Sequence, residues 1–310
     1  MDSMANTQNL TGWLDYISQQ HTEVIDMGLE RFNQVLDRMQ LHNPAPAVIT
    51  VAGTNGKGTT CRMIEALLLQ GGYRVGSTLS PHIWRFNERI RLHGRDADDE
   101  EICAAFAAID LARGDIALTY FEFSALAALY CMAQAQVDVA ILEIGLGGRL
   151  DAFNAIDPDV AVITSIGLDH QVFLGDTREA IGVEKAGILR SGQHVVLGQD
   201  MPESVLQRCD ALALKPRCWG VDFSSSIDID QGTWQLIRQD QASLEIPLTA
   251  IAPHNIALAC EAVADMVDLN LDLIARCSAL DMPGRMDIRR TKNRMWILDV
   301  CHNPDGVRFF

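Results

Sequence analysis

The chain of 310 residues is 48% hydrophobic and 21% charged, an ordinary globular composition with enough apolar material for a sizeable core. A formal charge of −16 and a pI near 4.8 argue against nucleic acid or anionic membrane as partners, since like charge repels. Eight scattered cysteines without a C-x-x-C pair, no apolar run of the roughly 18 residues a bilayer span needs, and a polar start without a cleavable signal predict a cytoplasmic protein with reduced thiols.

Residues 10–19 and 28–41 carry helical periodicity and are expected to pack as a short pair, before Pro44 and Pro46 break the second helix. The apolar run Ala47-Val48-Ile49-Thr50-Val51 reads as a buried strand, and residues 61–69 repeat apolar positions at helical spacing. Between them lies Gly53-Thr54-Asn55-Gly56-Lys57-Gly58-Thr59-Thr60. A glycine-rich turn between strand and helix directs backbone N–H groups into one concavity. The helix N-terminus adds partial positive charge there, so phosphate is the natural guest. Lys57 would reach terminal phosphates, and a Thr59 or Thr60 hydroxyl an accompanying magnesium ion. The usual spacing G-x-x-x-x-G-K-[ST] is not met: Val51 stands where the first glycine should be, and Gly58 follows the lysine.

Gly71-Gly72 stops this helix, residues 73–79 read as the second strand, and Ser80-Pro81-His82 is its exit loop. A polar hairpin strand is expected over 85–92 and helices over 98–112 and 122–134. Residues 137–144 form a buried strand ending in the carboxylate Glu143, and 159–165 another ending near Asp169-His170. A helix over 177–189 and a short strand over 194–197 follow. This alternation predicts a doubly wound, mostly parallel α/β sheet, in which ligands bind outside the carboxyl ends of the strands. The loops after Val51, Leu79, Ile144 and Ser165 all fall on that edge. From about 215 to 248, short β-like runs (218–223, 233–238 and 243–247) predict a small antiparallel appendage. Helices return over 254–267 and 271–280, and Pro283-Gly284 reads as a hinge before a single strand at 295–300.

Glu143, closing an apolar strand, sits where phosphate-transfer folds place a magnesium ligand. The glycines in Gly145-Leu146-Gly147-Gly148-Arg149 favour a functional turn with close backbone approach. Taken singly, His170 reads as a structural hydrogen-bonding residue, Lys185 as a solvated helix charge and Ser80 as an ordinary loop hydroxyl. Convergence on one edge raises all three.

The string Gly53-Thr54-Asn55-Gly56-Lys57-Gly58-Thr59 resembles the P-loop of the Mur-ligase superfamily, in the variant of folylpolyglutamate synthases. Glu143-Ile144-Gly145-Leu146-Gly147-Gly148-Arg149-Leu150-Asp151-Ala152-Phe153-Asn154 resembles that family's second signature. Ser80-Pro81-His82, Thr164-Ser165-Ile166 with Asp169-His170, Glu184-Lys185-Ala186-Gly187-Ile188, Pro253-His254-Asn255, Pro283-Gly284-Arg285 and Asp299-Val300-Cys301-His302-Asn303-Pro304 follow in the family's order. The likeness runs from about residue 10 to the end and is nearest the bifunctional bacterial dihydrofolate synthase/folylpolyglutamate synthase type, notably around Leu118-Thr119-Tyr120-Phe121-Glu122.

The resemblance implies an ATP-dependent ligase that adds L-glutamate to dihydropteroate or to a folate through an acyl phosphate. It implies that Gly53, Thr54, Asn55, Gly56, Lys57, Gly58 and Thr59 hold the ATP phosphates. Ser80 and Glu143 would bind one Mg2+ and His170 would help to hold a second. Lys185 would be carbamylated and so become a carboxylate-like metal ligand; with Lys57 and His170 it makes up the catalytic set. Asn255, Arg285, Asp299 and His302 match nucleotide-contacting positions, and Phe121, Asp151 and Ala152 match positions near the pterin. By the same likeness, residues 1–284 form a Mur-ligase-like ATP-binding domain and 285–310 begin a C-terminal α/β domain that is cut short at Phe310; the chain acts as a monomer on small molecules. A lone strand within 295–310 would be poorly packed. Phe153 departs from the family's usual threonine. Two rival readings stay open: a fragment that holds ATP and magnesium without turnover, and a Mur-type peptidoglycan ligase. Gly58 and the Leu146-Gly147-Gly148-Arg149 run speak against the second of these.

Overall fold

The computed structural model describes residues 9–21, 25–239, 242–292 and 294–308; the stretch before Asn9 and Phe310 lie outside them. Its main sheet is built from β1 (Ala47–Ala52), β2 (Val75–Thr78), β3 (Ile90–Leu92), β4 (Arg95–Asp96), β5 (Val139–Glu143), β6 (Val160–Ile163), β7 (His194–Leu197) and β8 (Arg217–Cys218). The spatial order is β4-β3-β2-β5-β1-β6-β7-β8, with β3 and β4 antiparallel at one margin and the rest parallel. The helices are α1 (Leu10–Ile17), α2 (Glu30–Met39), α3 (Lys57–Gln70), α4 (Asp99–Arg113), α5 (Tyr120–Gln134), α6 (Gln171–Leu174), α7 (Arg178–Ala186), α8 (Glu203–Ala211), α9 (Pro253–Ala262), α10 (Leu271–Ser278) and α11 (Pro304–Arg308). A second sheet joins β9 (Phe223–Asp228), β10 (Thr233–Arg238) and β11 (Leu244–Pro247), and β12 (Asp287–Arg290) pairs with β13 (Met295–Leu298).

Successive side chains of a strand point to opposite faces, so each central strand feeds two cores. Val48, Ala140, Leu142, Ala161 and Val195 pack with α1, α2, α4, α5 and α8. Ile49, Val51, Val139, Ile141, Val162 and Val196 pack with α3, α9, α10 and the second sheet. Burial on both faces is why these strands read as continuous apolar runs instead of alternating ones. The doubly wound reading holds. Buried Glu261 of α9 bonds Arg217 of β8 (3.1 Å) and Arg238 of β10 (2.5 Å), which ties the appendage to the main sheet.

Several local expectations are corrected. Helices α1 and α2 each pack against α4 more than against one another. The segment expected as one hairpin strand over 85–92 opens instead with a 3-10 turn at Phe86–Arg89. There the Glu88 carboxylate accepts the N–H groups of Ile83, Trp84 and Arg85 at 2.7, 2.8 and 2.7 Å, curling the chain before β3. Residues 218–223 do not form one strand: Arg217–Cys218 extends the main sheet, Asp222 turns the chain by accepting the Cys218 N–H at 2.7 Å, and β9 starts at Phe223. Helix α8 was unforeseen; only Val205 and Cys209 mark its buried face. The C-terminal strand is paired, not alone, yet all four residues of β13 are exposed.

Candidate active site

The chain leaves the carboxyl ends of β1, β2, β5 and β6 in adjacent positions, because Val51 pairs with Glu143 and Ala52 with Ile163. The first exit is the glycine-rich loop. Gly53 (φ 152°) and Gly56 (φ 83°) adopt backbone that L side chains rarely take. A Cβ on Gly53 would overlap the Thr164 hydroxyl, and one on Gly56 would stand 2.5 Å from Asn255 Oδ1. The exit of β6 braces the loop. Thr54 N–H donates to Ser165 O (2.8 Å), Asn55 N–H to Ser165 Oγ (3.0 Å) and Thr164 Oγ1 to Asn55 O (2.6 Å), while Gly167 N–H donates to Thr54 Oγ1 (2.9 Å). The first amides of α3, beginning at Lys57, have no intrahelical acceptor and remain available to an anion.

Lys57, read as reaching for terminal phosphates, is half-buried and curls back so that Nζ donates to Gly53 O (3.0 Å) and Thr54 O (3.3 Å). Burial lowers its pKa, partly opposed by the charge of Glu143. Lys185, buried on α7, donates from Nζ to the same Gly53 O at 2.8 Å. Burial, with the nearby Lys57 charge, brings its pKa from 10.5 down to about 7. Two amines thus converge on one carbonyl. A bound anion or a carboxylate-like change on Lys185 would relieve that crowding of charge.

Glu143 is buried, and its Oε2 accepts the Ser80 N–H at 2.7 Å. Burial raises its pKa, with Lys57 and the Ser80 hydrogen bond acting the other way. A Cβ on Gly58 would lie 3.4 and 3.5 Å from the two Glu143 oxygens and 3.6 Å from the Arg285 guanidinium. The glycine that breaks the usual P-loop spacing therefore keeps the space beside the carboxylate open. Carboxylate and hydroxyl oxygens at Glu143 and Ser80 suit a hard cation such as Mg2+. His170 caps α6 with a left-handed backbone (φ 49°), an unusual conformation for a residue with a side chain. One ligand atom from each of Asp169, His170 and His302 lies within 4.8 Å of the others, a second grouping able to hold a metal. Burial pushes the Asp169 carboxyl up, but the Asn303 hydrogen bond and the two histidines outweigh it and hold it below its ordinary value.

Three neighbouring cavities collect the predicted residues. One of about 310 Å³ holds the loop from Gly53 to Gly58 together with Ser80, Glu143, His170, Lys185, Arg285 and His302. A second, about 130 Å³, is lined by Asn55, Gly56, Thr59, Asn255, Arg285, Asp299 and His302. The third, about 280 Å³, contains Phe121, Asp151, Ala152 and His170. Ser80 and Pro81 wall both the first and the third. Thr60 is not brought in: its hydroxyl is buried without a hydrogen bond, leaving Thr59 as the hydroxyl at the site.

Asp151 organises the glycine turn after β5, accepting the N–H groups of Gly145 (2.9 Å), Leu146 (3.0 Å) and Phe153 (3.0 Å). Burial nonetheless lifts its pKa to about 6. Gly145 lies so close to Phe121 that a Cβ would stand 2.6 Å from the ring, and Phe121 meets Phe153 edge-on at 5.8 Å. Thr164 and Ser165 are the bracing residues that sequence reasoning passed over as single positions. Their signal was a Thr-Ser pair directly after a strand on the ligand-binding edge.

Residues 51–261 match the Mur ligase middle domain family. The chain is 43% identical over 305 residues to the dihydrofolate synthase/folylpolyglutamate synthase of Escherichia coli strain K12, covering 97% of this chain and 71% of that protein's length. The chain belongs to the dihydrofolate synthase/folylpolyglutamate synthase family. It is also 32% identical to the folylpolyglutamate synthase of Lacticaseibacillus casei, covering 84% of this chain and 65% of the relative. The E. coli enzyme in complex with DHPP and ADP superimposes with a TM-score of 0.92 at 41% identity, over 99% of this chain and 74% of that one. The bifunctional enzyme of Yersinia pestis complexed with AMPPNP and Mn ion gives 0.90 at 42% identity, over 100% and 75%. The chain is accordingly an ATP-dependent carboxylate–amine ligase by family, and its α/β architecture is the family's.

Proposed function

We propose that the chain joins L-glutamate to the carboxyl group of dihydropteroate, of a folate, or of both. The observation that carries this is the common wall of Ser80 and Pro81 between the loop cavity and the cavity of Phe121, Asp151 and Ala152. A carboxylate reaching across that wall meets the phosphate-binding edge. The chemistry needs no protein nucleophile. ATP transfers its terminal phosphoryl group to the carboxylate, releasing ADP; the glutamate amine then attacks the acyl carbon, and the bond to phosphate breaks. Lys57 and the amides of Gly53, Thr54, Asn55, Gly56, Gly58 and Thr59 hold the ATP phosphates and offset charge on the moving phosphoryl group. When bound, magnesium supplies further neutralisation of that charge; Ser80 and Glu143 hold one ion and His170 helps to hold a second. Lys185, with its pKa near 7, has a substantial neutral fraction at ordinary pH, and that free amine can take up CO2 as a carbamate. Asn255, Arg285, Asp299 and His302 contact the rest of the nucleotide, and Phe121, Asp151 and Ala152 the pterin.

The same reading divides the chain near Gly284 (φ 65°): residues 1–284 are the ATP-binding unit, and 285–310 belong to a following ligase unit. It takes the protein to be a cytoplasmic monomer acting on small molecules; the eight free cysteines agree with a reducing compartment. No helix among the described residues is long and apolar enough to cross a membrane.

The test is single-turnover chemistry: chain in excess over radiolabelled dihydropteroate, with ATP, Mg2+ and L-glutamate. Formation of the glutamyl amide supports the reading. Tight ATP binding with no amide over hours would overturn it.

A further inference from the structure

The Asn303 side chain is 7% exposed and engaged at all four of its bonding positions. Its Oδ1 accepts from Asn55 Nδ2 (3.0 Å) and from the Gly306 N–H (2.7 Å). Its Nδ2 donates to Asn55 Oδ1 (3.1 Å) and to Asp169 Oδ2 (2.9 Å). An amide offers two lone pairs and two hydrogens, so nothing is left over for a ligand. The orientation is dictated as well: turning the amide over would set its NH2 against the Gly306 N–H and its oxygen against a carboxylate. Asn55, on the glycine-rich loop, has its backbone N–H and carbonyl engaged by Ser165 and Thr164, and its side chain gives one donor and one acceptor to Asn303. The two amides therefore face each other across 248 positions of sequence.

The segment's other bonds to this edge run to one carboxylate, Asp169 Oδ2, from Asn303 Nδ2 (2.9 Å) and His302 Nε2 (3.1 Å). Strand β13, which leads into this segment, is exposed along its length, so no core seats residues 299–308 on the loop. We propose that Asn303 is a positioning residue for nucleotide binding: through Asn55 it registers the 299–308 segment on the glycine-rich loop, so that Asp299 and His302 face the cavity of Asn255 and Arg285. The proposal rests on reading that cavity as the nucleotide site. Because Asn303 touches the loop and not the cavity, its effect is a coupling: nucleotide orders the segment, and the seated segment favours nucleotide.

The experiment titrates the chain with a fluorescent ATP analogue in Mg2+ and follows hydrogen exchange of residues 299–308 with and without ATP. Asn303→Ala is expected to weaken binding about tenfold, the equivalent of one or two lost hydrogen bonds. It should also abolish the ATP-dependent protection of the segment. Asn55→Ala should do the same, and the double variant should bind no worse than the weaker single variant, because each substitution already breaks the shared contact. Unchanged affinity in Asn303→Ala, additive losses in the double variant, or protection that persists despite weaker binding would each overturn the coupling. Lys57→Ala separates this from the underlying reading. If the wild-type chain ignores Mg·ATP, or if Lys57→Ala binds it equally well, the nucleotide site itself is misassigned.

Discussion

Strands β1 and β13 are comparably apolar in sequence, Ala-Val-Ile-Thr-Val-Ala against Met-Trp-Ile-Leu, and they fare oppositely. Val48, Ile49, Val51 and Ala52 are at most 5% exposed, whereas Met295, Trp296, Ile297 and Leu298 are 57, 49, 39 and 46% exposed. The former strand has partners on both edges and helices on both faces; the latter has only β12. Hydrophobic sequence recruits a strand into a core only when neighbours exist to cover it. The functional consequence follows directly. The glycine-rich loop inherits angstrom-level placement from a strand locked on four sides, while residues 299–308 depend on a few polar contacts for theirs.

Five substitutions or titrations probe that contrast. Lys57→Ala, on the locked side, should cut kcat/KM for ATP by on the order of 10³-fold. Because burial already lowers the pKa of this lysine, the fold should survive the loss of its charge; phosphate-release kinetics and circular dichroism read the two effects separately. Phe153→Thr should cost about 3 kcal/mol in urea unfolding, since it empties a buried ring from the packing against Phe121. A cost below about 1 kcal/mol would show that the core behind the site collapses easily.

Gly58→Ala places a methyl in ordinary van der Waals contact with the Glu143 oxygens, so folding should be unaffected. The magnesium concentration for half-maximal nucleotide binding should rise about tenfold, or ~1.4 kcal/mol. A titration tests the buried amine. Lys185 has a native pKa near 7 and an ordinary value of 10.5, so between those limits the unfolded chain carries the extra proton and stability rises with pH. Lys185→Met should flatten that slope, and a 13C-carbamate resonance on the wild type should grow above about pH 7 and fade below it. Last and smallest, Trp296→Ser on the open hairpin should change stability by less than about 0.5 kcal/mol. A loss above ~2 kcal/mol would mean that this face is covered in solution.

Much of the locked region could be read from the sequence, because its signals are local. An apolar run, a glycine-rich turn and a helical pattern in succession place β1, the loop and α3. A carboxylate closing the next apolar run places Glu143 beside them. What escaped reading depended on distant partners. Lys57 could be read as a phosphate-reaching lysine, but nothing in its neighbourhood reveals that Gly53 O would draw it inward. Residues 85–92 alternate like a strand, but the Glu88 carboxylate captures three amides and makes a turn. Thr59 and Thr60 are equivalent on paper; the helix phase of α3 sends one to the cavity and the other into the interior. Asn303 carried no signal of its own, since a saturated amide is visible only when all its partners are in place.

The overlap between Gly53 and the Thr164 hydroxyl has a consequence for how this loop can change over generations. A side chain at position 53 needs the Thr164 hydroxyl out of its way, and moving or removing that hydroxyl gives up its 2.6 Å bond to Asn55 O, leaving only the longer one from Ser165 Oγ. Each single step leads through a chain whose loop is either jammed or slack. Positions 53 and 164 are thus bound to one another like two halves of a lock, and a new loop design at this edge has to replace both in one move.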